Sequence, residues 1–230
     1  CRSWRSASDA ALALVDASKK YAGRLVVLGL GASTNLAGAA EIDPGFFARL
    51  AGIVVMGGYL GPLRFSRREV SELNFSSDPA ASFAVLNAPC RVTVMSAQLC
   101  LAARYGRGDL ILRNRGPLWL RRLVREWYRS FGTWAGSRGF YLWDLLPAVS
   151  VVDPGRFPPA FFSIRSTVED LSTGTLVLEP PEGRCESGLD PSVSGIVSVP
   201  RRVIRARRLV AECAAGWARS ARSALGPIRL

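Results

Sequence analysis

Short runs of consecutive apolar residues stand out in the first part of the chain. They lie at residues 24–30 (RLVVLGL), 53–56 (IVVM) and 91–95 (RVTVM). Runs of this length that are rich in valine and isoleucine predict strands. Because the apolar residues are nearly unbroken rather than alternating with polar ones, each strand is predicted to be covered on both faces.

Between these runs the apolar residues recur at helical spacing. Residues 7–22 predict a helix with Ser8 available as its N-cap. The turn at residues 31–35 (GASTN) predicts the start of a short Ala-rich helix. The pairs Asp43-Pro44 and Asp78-Pro79 each predict a further helix start, because aspartate suits the N-cap and proline suits the first helical position.

Strand and helix thus alternate three times at short spacing, which is typical of βαβ units. We predict an α/β fold with an open, mainly parallel sheet flanked by helices. Ligands of such sheets bind at the carboxyl ends of the strands, in the loops that follow them. Candidate functional residues are therefore expected just after Leu30, Met56 and Met95.

The second half of the chain is less regular. Helices are predicted over residues 117–131, 144–152 and 201–224, and the strands of a late hairpin over residues 161–168 and 175–178. The pattern contains neither an internal repeat nor a flexible linker. Residues 1–230 are therefore predicted to form a single domain.

The composition adds a strong positive charge. The formal charge is +12, from 30 Lys and Arg against 18 Asp and Glu, and such a charge can attract nucleic acid or anionic membranes. The cations are nearly all arginine and mostly scattered, which favours a compositional bias, so nucleic acid is not predicted as a partner. A basic binding module built on residues 201–208 ranks third among the hypotheses for function.

Histidine is absent from the chain, and the five cysteines are isolated from one another. The lack of histidine excludes Ser–His–Asp and Cys–His nucleophile systems and His-ligated zinc within this chain. The cysteine pattern is typical of reduced thiols, so a cytoplasmic location is predicted. No apolar stretch is long enough to span a bilayer, so no membrane partner is predicted.

Three segments carry a more specific pattern. Residues 26–37 are VVLGLGASTNLA. Residues 53–58 (IVVMGG) are followed by ELNF at 72–75 and DPAA at 78–81, and YLWD lies at 141–144. In order, spacing and placement at strand ends, these segments resemble the motifs of the inosine–uridine and purine nucleoside hydrolases. The resemblance extends to about residue 184, and the tryptophan before the last aspartate is similar to that of the purine-specific members.

The resemblance implies that Met56, Glu72 and Asn74 bind the sugar of a nucleoside. Glu72 and Asn74 are two residues apart, so on extended backbone their side chains point to the same side. A carboxylate and an amide placed there can accept hydrogen bonds from ribose hydroxyls and donate to them. From the residues alone, a solvated polar pair and a core methionine are the alternatives.

The resemblance further implies a Ca²⁺ ion held by the backbone carbonyl of Thr34 and by Asp144, since calcium prefers oxygen ligands. Taken alone, Thr34 could instead cap the following helix, and Asp144 could be stabilised by a helix dipole. Trp143 occupies a place where many members have a histidine. A tryptophan there can stack on a purine and help it leave, and simple packing is the alternative.

Several features of the family are missing from the chain. The N-terminal Asp-x-Asp-x-x-x-Asp-Asp motif, which supplies calcium ligands and the general base, does not occur. Because the chain starts at Cys1, it is predicted to be an N-terminally truncated member that lacks its first strand, loop and helix. Arg64, Arg67 and Arg68 replace a polar sugar-binding element, and Ser96-Ala97-Gln98 stands where Asp-x-Thr is expected.

The implied function is hydrolysis of the N-glycosidic bond of purine or other ribonucleosides by Ca²⁺-activated water, which releases ribose and a free base. The alternative is a catalytically degenerate homologue that acts as a binding or structural protein, and the missing aspartates favour it. Members of the family tend to be homo-oligomers, so a homo-oligomer is expected. A missing leading strand would leave an apolar sheet edge exposed, so poor solubility is expected as well.

Overall fold

The structure is a computed structural model that describes residues 8–66, 68–106, 117–181 and 193–223. The strands, numbered along the chain, are β1 (Val26–Gly29), β2 (Gly52–Met56), β3 (Leu63–Phe65), β4 (Arg68–Val70), β5 (Val92–Met95), β6 (Arg104–Gly106), β7 (Gly139–Tyr141), β8 (Phe161–Ile164), β9 (Leu178–Glu179) and β10 (Ile196–Ser198). The helices are α1 (Asp9–Lys20), α2 (Thr34–Ile42), α3 (Pro79–Leu86), α4 (Ala97–Cys100), α5 (Leu118–Ala135), α6 (Leu145–Val152), α7 (Val168–Ser172) and α8 (Ala206–Ser223).

Within these described residues, six strands form the central sheet in the order β1-β2-β5-β10-β8-β9. Strands β1, β2, β5 and β10 run parallel, and β8 pairs antiparallel with both β10 and β9. The ribbons β3–β4 and β6–β7 lie outside this sheet. The predicted α/β fold with a mainly parallel sheet is confirmed.

The sheet lies between two hydrophobic cores. Ile53 and Val55 of β2 point to a core that contains residues of α1, α2, α3 and α7. Val54 and Met56 point to the other core, which contains residues of α4, α6 and α8. Every residue of β2 is buried, so the prediction that this strand is covered on both faces is confirmed. None of the helices that the structure describes is long and apolar enough to cross a membrane.

Three of the four predicted helix starts in the first part of the chain are correct, and one of them is the start of α2 at Thr34, within the predicted turn. The Ser8 hydroxyl accepts a hydrogen bond from the backbone N–H of Ala11 at the start of α1, and Asp78 caps α3. The helix predicted after Asp43-Pro44 is wrong, since that segment is a turn followed by a 3-10 helix at Phe47–Arg49. The Asp43 carboxylate accepts from the N–H of Gly45 at 3.0 Å, two residues on, so it closes a tight turn instead of capping an α-helix.

Strand β1 is not covered on both faces, contrary to the prediction. Val26, Leu28 and Leu30 remain 38–40% exposed, whereas Val27 packs against the first core. In the part of the chain that the structure describes, β1 lies at one edge of the sheet, and the second core includes no residue of β1. An apolar run by itself could not reveal this difference between the two faces.

The double variant Val26→Thr/Leu28→Thr is expected to aggregate less than the unchanged chain, because exposed apolar edge strands pair with other chains. Threonine suits strands, so the thermal unfolding midpoint should stay within a few degrees. Light scattering against protein concentration measures the effect. The matched variant Val27→Thr, on the packed face, should instead lower the unfolding midpoint. Equal aggregation of the double variant and the unchanged chain would contradict the prediction.

Candidate functional site

A pocket of about 500 Å³ opens at the carboxyl end of the parallel strands. Its wall includes Leu30 directly after β1, Met56 at the end of β2 and Ala97, two residues after the end of β5. Loops after neighbouring parallel strands meet at one edge of the sheet, which is where ligands of such folds bind. The pocket therefore lies where the sequence predicted the functional residues.

Five of the six predicted site residues line this pocket: Met56, Glu72, Asn74, Trp143 and Asp144. They come from the end of β2, from the segment before α3 and from the start of α6. The sixth residue, Thr34, does not line the pocket. The structure thus brings most of the predicted set together, while the chemical role of each residue stays a prediction.

The Glu72 side chain shapes the loop that follows β4. It is only 5% exposed, and its Oε1 accepts a hydrogen bond from the N–H of Asn74 at 2.7 Å. Its Oε2 accepts from the N–H groups of Phe75 and Ser76 at 2.8 and 3.1 Å. Residues 74–77 form a turn, so the prediction of extended backbone through Glu72 and Asn74 was wrong. The carboxylate stabilises this turn by charge-assisted hydrogen bonds.

The Asn74 side chain links this turn to the central sheet. Its Nδ2 donates to the backbone carbonyl of Met56 at 2.8 Å and lies 3.2 Å from the Met56 sulfur. Glu72 therefore positions Asn74, and Asn74 in turn fixes the end of β2. A contact of either side chain with a sugar stays a prediction.

Two glycines allow Phe75 and Glu72 to pack closely against the neighbouring backbone. A Cβ atom at Gly57, directly after β2, would lie 2.5 Å from the Phe75 ring. Gly174 has φ +80°, and a Cβ atom there would lie 2.4 Å from the Cβ of Glu72. The N–H of Tyr59 donates to the carbonyl of Gly174, and the N–H of Leu176 donates to the carbonyl of Tyr59, both at 2.9 Å. The loop after β2 is thus hydrogen-bonded to the segment after α7.

Asp144 stands immediately before α6 and lines the pocket. Its side chain makes no capping hydrogen bond to the helix, so a hydrogen-bonded N-cap is not the role of this aspartate. Partial burial against the pocket wall raises the pKa of the Asp144 carboxyl group above its ordinary value. The arrangement leaves a carboxylate at the pocket surface that can accept hydrogen bonds from a ligand.

Trp143 is held by other aromatic rings. Its ring centroid lies 5.2 Å from that of Tyr141 and 6.5 Å from that of Phe65, whose ring plane is nearly perpendicular to the indole. Its backbone carbonyl lies 3.7 Å from the buried Cys100 thiol. The indole remains only partly buried and lines the pocket, so it both packs and presents a surface to a ligand.

Helix α5, which the sequence predicts over residues 117–131, forms a further wall of the pocket, and this role was not predicted. Trp127, Phe131 and Trp134 of α5 line the pocket together with Leu63 and Phe65 of β3. The three aromatic residues of α5 are spaced by four and three positions, so they lie on one side of the helix. That spacing was visible in the sequence and could have indicated an aromatic wall.

The predicted calcium ligands do not form a complete site. Thr34, whose carbonyl is the predicted ligand, begins α2 and does not line the pocket that Asp144 lines. Both carboxylate oxygens of Glu72 already accept backbone hydrogen bonds. Within the described residues, no group of three or more His, Cys, Asp or Glu could hold a metal ion. Since calcium takes about six to eight oxygen ligands, these residues alone do not fit it.

Comparisons with known proteins bear on the family and the fold of the chain. The model of the inosine-uridine preferring nucleoside hydrolase family matches residues 3–207. Uridine nucleosidase 1 of Arabidopsis thaliana is 25% identical over 179 residues, which is 76% of this chain and 53% of that protein. A probable uridine nucleosidase 1 of Oryza sativa subsp. japonica is 26% identical over 181 residues, 74% of this chain and 54% of that protein. The chain spans about half the length of these curated relatives.

Solved structures resemble the fold. A plant nucleoside hydrolase superposes with a TM-score of 0.75 at 21% identity and covers 90% of this chain and 66% of its own. A purine-preferring ribonucleoside hydrolase from Gardnerella vaginalis superposes with a TM-score of 0.75 at 22% identity and covers 93% and 67%. At these identities the likeness establishes the fold alone.

Proposed function

The chain belongs to the inosine–uridine preferring nucleoside hydrolase family, and we propose on this basis that it forms the substrate pocket of a ribonucleoside N-glycosidase. Water would attack the anomeric carbon of the ribose, the bond from that carbon to the base nitrogen would break, and ribose and the free base would leave. The observation that carries the proposal is the meeting of Asn74, Trp143 and Asp144 in one pocket at the strand ends.

The sugar is proposed to lie beside Met56, Asn74 and Asp144. The Asp144 carboxylate, which does not cap α6, can accept hydrogen bonds from ribose hydroxyl groups. Glu72 supports this region by holding the turn that carries Asn74. In a glycosidase of this kind positive charge builds up on the sugar ring in the transition state, and a carboxylate beside the ring stabilises it.

The base is proposed to lie among the aromatic rings. Trp143 forms one side and α5 contributes Trp127, Phe131 and Trp134. Flat bases gain free energy by stacking on such rings, and a purine offers more area than a pyrimidine. Trp143 thus supports a purine preference. The names of the curated relatives support uridine as the alternative substrate.

Trp143→Ala is expected to lower kcat/KM for inosine about tenfold or more, because base stacking contributes roughly 1–3 kcal/mol per base. The loss for uridine should be smaller, and Trp143→Phe should retain most of the activity towards both nucleosides. Trp119→Ala, on α5 but outside the pocket lining, is the matched control and should behave like the unchanged chain. Equal losses for inosine and uridine would indicate that Trp143 only packs.

For calcium, the proposal is limited to two oxygen donors that this chain would contribute to a bound ion. Asp144 and the Thr34 carbonyl are the oxygen donors that this chain would contribute, and a bound ion would lower the pKa of a water molecule. Among the described residues, no group of three or more His, Cys, Asp or Glu could complete such a site, and no step proposed above depends on the ion.

The direct test incubates the chain with inosine, adenosine, guanosine and uridine and measures free base by chromatography and ribose as reducing sugar. Release of both products supports the hydrolase. Binding of nucleosides in calorimetry without release of products would favour a catalytically degenerate homologue that only binds. This is the second candidate function, because the described residues contain no group of three or more His, Cys, Asp or Glu that could hold a metal ion. If the chain neither binds nucleosides nor releases base from them, both functions are contradicted.

A further inference from the structure

Helix α5 exposes a line of large apolar side chains. Trp119, Leu123 and Trp127 are 48%, 60% and 53% exposed. They are four residues apart, so they follow one side of the helix. Trp134, 47% exposed, extends the same side towards the end of the helix. These four residues are called the apolar strip of α5. Trp127 and Trp134 also line the pocket, whereas Trp119 and Leu123 lie outside it, and grouped exposed apolar side chains mark an interaction surface.

A line of cations runs along the neighbouring side of the same helix. Arg122, Arg125 and Arg129 are exposed and are spaced by three and four residues, so they share one side. The Arg68 guanidinium of β4 lies 5.8 Å from the centre of the Trp134 ring and adds a cation at the end of the apolar strip. The exposed surface of α5 therefore has an apolar side and a mainly basic side next to each other, with one exposed carboxylate, Glu126, between them.

We propose that α5 docks this protein on an anionic membrane surface. Trp119 and Leu123 would enter the boundary between headgroups and acyl chains, where tryptophan side chains prefer to lie. The neighbouring arginines would contact lipid phosphates. The chain carries a formal charge of +12, which attracts it to an anionic leaflet. This inference does not depend on the proposed function, and it requires no membrane-spanning segment.

The separation of the two sides favours a membrane over nucleic acid. Surfaces that bind single strands place cations along the backbone track among aromatic rings on which bases stack. On α5 the arginines form a separate line, and the apolar strip contains Leu123, which has no ring to stack. A symmetric second copy is disfavoured for another reason. A two-fold contact between antiparallel α5 helices through the apolar strip would place the arginine lines of both copies on the same side of the interface.

The test is co-sedimentation of the full chain with vesicles of phosphatidylcholine alone and of phosphatidylcholine mixed with phosphatidylserine. Binding is expected only to the mixed vesicles and should weaken in high salt. The triple variant Arg122→Gln/Arg125→Gln/Arg129→Gln should lose about 100-fold in partitioning, since each arginine near an anionic surface contributes roughly fivefold. A control with the same net charge replaces three exposed arginines elsewhere: Arg24→Gln, Arg91→Gln and Arg202→Gln.

The apolar side is tested by Trp119→Ser/Leu123→Ser, neither of which lines the pocket. The matched control is Leu12→Ser, an exposed leucine of α1. The α5 variant should lose binding to the mixed vesicles and the control should keep it. Should the variants fail to fold, brominated lipids provide a second measurement, because they quench the tryptophan fluorescence of the unchanged chain only if its indoles enter the bilayer.

The inference is overturned if the unchanged chain neither sediments with the mixed vesicles nor is quenched by brominated lipids. It is also overturned if the charge-matched control loses as much binding as the α5 triple variant, since net charge would then explain it. Binding to a single-stranded oligonucleotide that depends on the same arginines, with no vesicle binding, would assign the surface to nucleic acid. A dimer that Trp119→Ser/Leu123→Ser dissociates, with no vesicle binding, would assign it to a second copy.

Discussion

Asp144→Asn is expected to reduce kcat/KM for nucleosides by about a thousandfold or more, while the protein still folds. Asparagine keeps the size of the side chain but removes the charge that would stabilise a positively charged sugar ring and hold a cation. The Asp144 side chain makes no capping hydrogen bond to α6, so the thermal unfolding midpoint should change little. Steady-state kinetics with inosine and uridine, together with thermal unfolding, measure both effects.

The matched control for this prediction is Asp16→Asn, which removes an exposed carboxylate from α1 on the other side of the sheet. It should leave kcat/KM unchanged. If Asp144→Asn keeps more than a tenth of the activity, the carboxylate is not part of the reacting centre, and the proposed placement of the sugar is wrong.

Glu72→Ala is expected to lower the free energy of unfolding by about 3 kcal/mol or more. The substitution leaves the N–H groups of Asn74, Phe75 and Ser76 without their acceptor in a region where Glu72 itself is 5% exposed. Unsatisfied buried donors cost roughly 1–3 kcal/mol each, although relaxation of the turn can recover part of that cost. Urea unfolding followed by circular dichroism gives the difference.

The control is Glu69→Ala on β4, whose carboxylate forms an exposed ion pair with Arg64. Exposed pairs of this kind contribute at most about 1 kcal/mol, so the control should unfold close to the unchanged chain. If Glu72→Ala unfolds with the control but loses affinity for nucleosides, then Glu72 acts on the sugar directly, and its part in the turn is secondary.

Local signals were sufficient to predict much of the first half of the fold. Strands β2 and β5 lie within a residue of their predicted bounds, and the caps Ser8 and Asp78 begin α1 and α3 as expected. These features depend on residues close in sequence, namely an unbroken apolar run or a capping side chain before a helix. The alternation of these elements then predicts the parallel sheet.

Features that depend on distant neighbours could not be predicted in this way. Strand β10 pairs with β5 and β8 inside the sheet, but three residues are too short to give a periodic signal. Whether both faces of β1 are buried depends on which distant segments pack against that strand. The role of Glu72 as the acceptor for a turn depends on a backbone conformation that the two-residue spacing to Asn74 did not indicate.

The candidate site was predictable to the extent that strand order determines it. Met56 lies in the pocket because it ends a strand of the parallel sheet, where such folds bind ligands. Trp143 and Asp144 follow β7 of the separate β6–β7 ribbon, so strand order in the central sheet does not by itself place them there. The aromatic side of α5 was not recognised, since a helix rich in arginine is typical of a solvated surface. Calcium, the purine preference, the homo-oligomer and the cytoplasmic location stay predictions, because each depends on a ligand, a partner or a cell.

The backbone hydrogen bonds of Tyr59 with Gly174 and Leu176 have a consequence for evolution. The loop after β2 and the segment after α7 share hydrogen bonds, and Gly174 also packs against the stem of Glu72. If the pocket binds the proposed nucleoside, selection for affinity also acts on Tyr59, Gly174 and Leu176, which do not line it. Changes in the segment after α7 and in the loop after β2 should be epistatic, so that each alters which substitutions the other tolerates.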